Sequence, residues 1–188
     1  MPGGSGAMRE LSLHILDVIE NSIRAGASII SVSIVEDVAG DLLEITVEDN
    51  GSGLNIPVED ALDPFHTTKD GKRTGLGLSL FQAAAEQAGG TLTIDKSDLG
   101  GVAVKVTMSL SHIDRRPLGD LAATLSSVVC TNPDLDLWCR FSSGGPECVV
   151  RVSDVASELQ VTERCGLAIA RRVSEKIRNG LAAMSSRS

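Results

Sequence analysis

Residues 42–54 read Leu42-Leu43-Glu44-Ile45-Thr46-Val47-Glu48-Asp49-Asn50-Gly51-Ser52-Gly53-Leu54. Leu43, Ile45 and Val47 alternate with more polar neighbours, the pattern of a strand with one buried face. Continuing that face by two places lands on Asp49, so a carboxylate closes the buried row. Burying a carboxylate is costly unless hydrogen-bond donors converge on it. The ordinary reading of Gly51 and Gly53 is a tight turn, and an inward acid is what a tight turn leaves unexplained.

Upstream of this stretch, Ile30, Val32 and Ile34 form a second alternating run, joined to the first across Ala39-Gly40-Asp41. Before it, Leu11, Ile15, Leu16, Ile19 and Ile23 follow helical spacing from about Arg9 to Ala25, and Gly26 is placed to stop the helix. The same helix carries His14, Asp17, Asn21 and Arg24 at steps of three, four and three, which predicts one polar row on one face. Downstream, residues 50–74 hold Gly51, Gly53, Pro57, Pro64 and Gly71 and read as a long functional loop, a lid. A helix is expected from Leu76 to Ala88, closed by Gly89-Gly90 and opened by Thr74-Gly75-Leu76-Gly77-Leu78-Ser79, whose free N–H groups suit an anion. Strands follow near Leu92–Ile94 and over Val102–Leu110.

Ser111–Pro117 reads as a polar connector and a domain boundary. Beyond it the pattern predicts a helix (Leu118–Val129), a hairpin (Leu135–Phe141 and Cys148–Val152 across Gly144-Gly145-Pro146) and a helix from about Thr162 to Met184. Ala170, Val173, Ile177, Leu181 and Met184 lie on one face of that last helix. The expected organisation is a two-layer α/β domain over residues 8–110, helices over a mixed sheet, followed by a small α+β domain over residues 111–188.

Composition narrows the partners. Seventeen basic against 25 acidic residues give a net charge of −8, which argues against a broad phosphate-backbone contact surface and hence against nucleic acid. No stretch approaches the roughly 18 to 20 apolar residues of a membrane span, and the first residues lack the pattern of a signal peptide, so a cytoplasmic protein without a membrane partner is expected. Cys130, Cys139, Cys148 and Cys165 are separated by eight, eight and sixteen residues, none at zinc-knuckle spacing, and are expected to be reduced and mostly buried.

Four motifs, in this order, resemble those of the ATP-binding fold shared by gyrase, a heat-shock chaperone, histidine kinases and the mismatch-repair ATPase (the GHKL superfamily, with the Bergerat fold). Asp17-x-x-Glu20-Asn21-Ser22-x-x-Ala25-Gly26-Ala27 resembles the asparagine box, and Asp49-x-Gly51-x-Gly53 the first glycine box. Pro64-Phe65-His66-Thr67-Thr68-Lys69 resembles the phenylalanine box, and Thr74-Gly75-Leu76-Gly77-Leu78-Ser79 the second glycine box.

The resemblance implies ATP and Mg²⁺ as ligands. It makes Asp49 the acceptor for the adenine amine, a contact that guanine with its carbonyl cannot make, and Gly51 and Gly53 the backbone beside the ring. Asn21 becomes a neutral Mg²⁺ ligand, Arg24 a phosphate contact, and Phe65, Lys69, Thr74, Gly75, Leu76, Gly77, Leu78 and Ser79 the lid and phosphate cradle, with Lys72 and Arg73 nearby. Asp17 stands at the place of the catalytic base. Mismatch-repair and gyrase-type members carry Glu there, and Asp draws the carboxylate back by about 1.5 Å, a misplacement worth on the order of a hundredfold. That disfavours efficient hydrolysis and suits transfer to a partner's side chain.

His112-Ile113-Asp114-Arg115-Arg116-Pro117-Leu118 shares His, Arg, Pro and Leu with the phosphoacceptor box of histidine kinases, so His112 is a candidate acceptor, though it follows the ATPase instead of preceding it. Only a few residues precede the first helix, so an upstream acceptor domain is not expected in this chain. The resemblance thus implies a histidine-kinase-like regulatory protein that passes phosphate to a receiver domain or regulatory factor. The alternatives are an ATP-gated switch or anti-sigma-like binding module, and a mismatch-repair-like ATPase; a homodimer is left open.

Overall fold

In the computed structural model the described residues are 10–54, 62, 76–161 and 166–185. Helix α1 (Leu11–Arg24) buries Leu11, Ile15 and Ile19 of the expected apolar stripe, with Leu16 and Ile23 partly buried, and Val18 joins them in the core. Its first turn has no side-chain cap. Instead the Leu11 and Ser12 amides donate to the Pro117 and Leu118 carbonyls at 3.0 and 2.9 Å, tying the helix start to the connector. Gly26, at φ +79°, turns the chain out of the helix.

Strands β1 (Ile29–Asp37) and β2 (Leu42–Asp49) form the hairpin expected around Ala39-Gly40-Asp41, with Ile30 opposite Asp49 and Val32 opposite Val47. Helix α2 (Leu76–Gln87), β3 (Leu92–Lys96) and β4 (Val102–Ser109) follow, and β4 lies antiparallel between β2 and β3. Beyond the connector come α3 (Leu121–Thr131), β5 (Asp136–Ser143), β6 (Cys148–Arg151), α4 (Val152–Glu158) and α5 (Leu167–Ser185). Among the described residues five helices cover one face of a six-stranded mixed sheet ordered β3-β4-β2-β1-β5-β6. This is the expected two-layer α/β arrangement.

The C-terminal elements make no sheet of their own. Strand β5 pairs parallel with β1, Val32 beside Cys139, so residues 136–151 extend the same sheet and share its core. The division at residue 111 is therefore one of sequence, not of sheet. Its physical basis is the apolar row Leu137, Cys139 and Phe141, which continues the buried rows of β1 and β2.

Several boundaries differ from expectation, α5 for one beginning at Leu167 and not near Thr162, and two of the shifts have a visible cause. Helix α3 starts at Leu121 because Gly119 adopts φ +79° and Asp120 caps the Ala123 amide at 2.9 Å. Val152 opens α4 instead of ending a strand, since the buried Asp136 carboxylate accepts from the Ser153 amide at 2.9 Å. The opposite face of the sheet is polar, with Glu44, Thr46, Glu48, Lys105, Trp138 and Arg140 on it, and a Lys105–Glu44 pair at 2.7 Å.

Candidate functional site

The site is built where β2 ends. Asp49 is buried, 4% exposed, and donors do converge on it as its burial requires. Oδ2 accepts from the Ser22 hydroxyl at 2.6 Å, and Oδ1 accepts from the amides of Gly51 at 2.8 Å and Val102 at 3.2 Å. A carboxylate offers about four lone-pair sites. Among the described residues two donors engage Oδ1 and one engages Oδ2, which keeps one position.

Backbone crowds this carboxylate. A Cβ on Gly51 would stand 3.0 Å from the Ala25 carbonyl oxygen and 3.2 Å from Asp49 Oδ1. A Cβ on Gly101 would overlap Asp49 Oδ1 and reach 2.7 Å from the Gly51 nitrogen, while the Gly101 amide donates to the Asp49 carbonyl at 3.0 Å. Gly53 adopts φ +82° with open space around it. Asn50 locks the corner from below: its side-chain oxygen accepts from the amides of Ser28 and Ile29, each at 2.9 Å.

Helix α1 runs from this corner toward α2. Ser22 faces Asp49, and Ala25 accepts from the Ser52 amide at 3.0 Å. Asp17, five residues before Ser22 and so about 7.5 Å along the axis, lies against the first turn of α2, where a Cβ on Gly77 would come 2.8 Å from Asp17 Cβ and 3.2 Å from its Oδ2. Asn21, one turn after Asp17, is half-buried between these two ends. Helix α1 thus links the Asp49–Gly51 corner, through Ser22, to the first turn of α2, through Asp17.

Other expected residues fall elsewhere. His14 leaves the polar row: it is buried and stacks on Phe81 with ring centroids 5.2 Å apart, joining α1 to α2 in the core. Arg24 is half-exposed and engaged with its own helix, Nε donating to the Glu20 carbonyl at 3.1 Å and a terminal nitrogen 3.6 Å from Glu20 Oε2. Leu78 sits in the core, so only its backbone is available to a ligand. Gly77 and Ser79 are part-exposed in the first turn of α2. Phe65, Lys69, Thr74 and Gly75, with His66, Lys72 and Arg73, lie outside the described residues, as does the side chain of Leu76.

His112 lies just beyond β4, whose end pairs with the start of β2, Ser109 opposite Leu42. That is the end of the sheet opposite Asp49, about 23 Å along the strands. Its Nδ1 accepts from the Asp114 amide at 3.2 Å. Its ring lies beside Gly89, past the end of α2, whereas Asp17 lies against Gly77 at the start of that helix.

The cysteines divide. Cys130 is exposed, Cys139 buried and Cys148 half-buried, and none of the three is in a disulfide. Burial pushes the Cys139 thiol well above its ordinary range, which makes it inert. Cys165 lies outside the described residues.

Two residues with a structural claim on the site were not singled out by sequence reasoning. Ser22 stood inside the asparagine box without a role, although its place one residue after Asn21 turns it toward the core side of α1. Gly101 carries no motif of its own, and what marks it is the antiparallel pairing of β4 with β2, which sets the start of β4 beside Asp49.

Residues 6–112, more than half of the chain, match the family described as Histidine kinase-, DNA gyrase B-, and HSP90-like ATPase. The Non-motile and phage-resistance protein of Caulobacter vibrioides is 29% identical over 126 residues, covering 62% of this chain and 15% of that protein. The sensor-type histidine kinase PrrB of Mycobacterium leprae is 32% identical over 105 residues, 53% of this chain and 23% of that protein. The chain thus spans less than a quarter of the length of these relatives. Among solved structures, the ATP-binding domain of PrrB from Mycobacterium tuberculosis is 29% identical with a TM-score of 0.39, over 52% of this chain and 66% of that one. The Aquifex aeolicus MutL ATPase domain, complexed with ADP, is 17% identical with a TM-score of 0.40, over 82% of this chain and 70% of that one. By its family match the chain belongs to the histidine kinase-, DNA gyrase B- and HSP90-like ATPases.

Proposed function

We propose that this chain binds adenine nucleotide with Mg²⁺ between the end of β2 and the start of α2 and, as a histidine-kinase-like regulatory protein, passes the terminal phosphate to a partner protein. The observation that carries the reading is the Asp49 carboxylate, with three donors fixed on it and one acceptor position left on Oδ2. A single buried acceptor matches the exocyclic amine of adenine and rejects the carbonyl of guanine, because the mismatch would set two acceptors against each other. Gly101, which leaves no room for a Cβ, and Gly51, where a Cβ would fit only tightly, hold backbone close around this acceptor.

The donor set suits Mg²⁺. Asn21 and Asp17 offer oxygens four residues apart on one helix face, and among the described residues no group of three or more His, Cys, Asp or Glu could form a complete protein cage. An ion that keeps part of its water and takes phosphate oxygens fits such a sparse site. Bound there, Mg²⁺ would neutralise charge developing on the transferred phosphoryl group. The amides of the first turn of α2, at the positive end of the helix dipole, would favour anionic phosphate oxygens there. Asp17 is the group able to orient or deprotonate an incoming nucleophile.

An ATP-gated switch, in the manner of an anti-sigma-like binding module, is the second reading. The capping of α1 by Pro117 and Leu118 supports it, because the helix that carries Asp17 and Asn21 is hydrogen-bonded to the connector leading into the C-terminal elements. Incubation with γ-labelled ATP and Mg²⁺, with candidate receiver domains and regulatory factors added one at a time, separates the two. Label on a partner that is lost in acid but stable in base supports phosphotransfer to histidine, label lost in both supports aspartate, and label stable in acid but lost in base supports serine. Partner binding that responds to nucleotide with no label on any protein supports the switch.

A further inference from the structure

Strand β6 ends the sheet. It pairs with β5 on one side, and among the described residues no strand pairs with its other edge. Such an edge presents unpaired backbone N–H and C=O groups to another chain. On the polar face of the sheet this edge carries Val149, 50% exposed, flanked at two residues on either side by Glu147 and Arg151.

Arg151 is held in place. Its guanidinium lies over the Trp138 ring, 4.6 Å from the centroid, and the indole N–H donates to the buried Asp136 carboxylate at 2.9 Å. No carboxylate among the described residues pairs with Arg151. Glu147 is half-exposed and pairs with Arg140 on the neighbouring strand at 3.0 Å, which leaves it able to accept a second cation.

The sequence Glu147-Cys148-Val149-Val150-Arg151 is therefore complementary to itself in the antiparallel sense. We propose that β6 pairs with β6 of a second copy about a two-fold axis, with Val149 opposite Val149. Directly opposed residues of an antiparallel pair share a face. This register sets Arg151 of each copy opposite Glu147 of the other, two ion pairs flanking one apolar contact. The second copy is the occupant because the opposite charges stand at equal distances on either side of the central valine, as a two-fold axis demands. Five residues a side bury little surface, so the dimer is weak and depends on concentration. The inference does not depend on nucleotide binding.

Sedimentation velocity on the whole chain from low to high micromolar concentration tests it, with circular dichroism to confirm that each variant is folded. The wild type is expected to dimerise reversibly, and Trp138, the chain's only tryptophan, to change its emission along the same concentration curve. Arg151→Glu alone and Glu147→Arg alone each set like charges in opposition twice and should weaken association at least about tenfold. An equal mixture of these two variants restores opposite charges across the axis and should recover dimer. A wild type that stays monomeric throughout, variants that associate as well as wild type, or a mixture that fails to recover dimer would each overturn the proposal.

Discussion

Ser22 donates its hydroxyl to Asp49 Oδ2 at 2.6 Å, joining the core side of α1 to the end of β2 across 27 residues of sequence. Both groups are buried, so neither exchanges this bond for water. The contact turns a strand-end carboxylate into an oriented acceptor and fixes α1 beside it.

Ser22→Ala removes the one donor that Oδ2 has among the described residues. A hydrogen bond to a charged group contributes about 1.5–3 kcal/mol, and the midpoint of urea unfolding should fall accordingly at unchanged slope. An unaltered midpoint would mean that the Ser22–Asp49 bond contributes nothing to the fold.

Gly101→Ala and Gly53→Ala should differ sharply. A Cβ at Gly101 meets Asp49 and the Gly51 nitrogen, backbone and buried carboxylate that cannot give way, so a cost of about 3 kcal/mol or more and loss of nucleotide binding are expected. At Gly53 the space is open and only the positive φ resists, which costs about 1 kcal/mol. Equal effects at the two positions, by thermal or urea unfolding, would contradict the crowding around Asp49.

Asp17→Asn keeps the shape of the side chain but not its basicity. Nucleotide affinity should hold within a few-fold, while transfer or release of labelled phosphate falls about a hundredfold or more. Asp17→Glu extends the carboxylate by a methylene, and phosphate release should rise. Turnover unchanged in both variants would remove Asp17 from the chemistry.

Acid should weaken the turn between β1 and β2. Asp41, at φ +52°, accepts from the hydroxyls of Ser109 and Ser111 and from the Ser111 amide. The Ser109 hydroxyl first, then the Ser111 donors, hold its carboxyl below its ordinary value of 3.8. A depressed carboxyl contributes stability that is full above the unfolded value and is lost as pH falls through the folded one. Urea midpoints of Asp41→Asn, whose side chain tolerates the left-handed backbone, should fall less steeply with acid below about pH 4 than those of wild type. Parallel acid limbs would contradict the assignment.

The alternation of residues 42–54 made the site legible before the fold. Asp49 lies where parity put it, buried at the end of β2, and the donors its burial demanded are present. The hairpin, α1 and α2 were equally readable, because each rests on local periodicity. What local patterns do not encode is which strand neighbours which. The parallel docking of β5 on β1 is a long-range event, so the segment after residue 111 read as a separate unit when it extends the same sheet. The same blindness hid Gly101, whose importance arises only when β4 lies beside β2. His14 shows a different limit: its spacing fits the polar row, but Phe81 offers a ring on which to stack, and packing prevailed.

Titration calorimetry with ATP, ADP and GTP in the presence of Mg²⁺, on wild type and Asp49→Asn, reads the central claim most directly. Heat with both adenine nucleotides, little with GTP, and loss of about a hundredfold or more in adenine affinity for a folded Asp49→Asn are expected. Adenine binding that survives the substitution, or wild-type binding that does not distinguish adenine from guanine, would contradict the assignment of Asp49 as the base-reading acceptor.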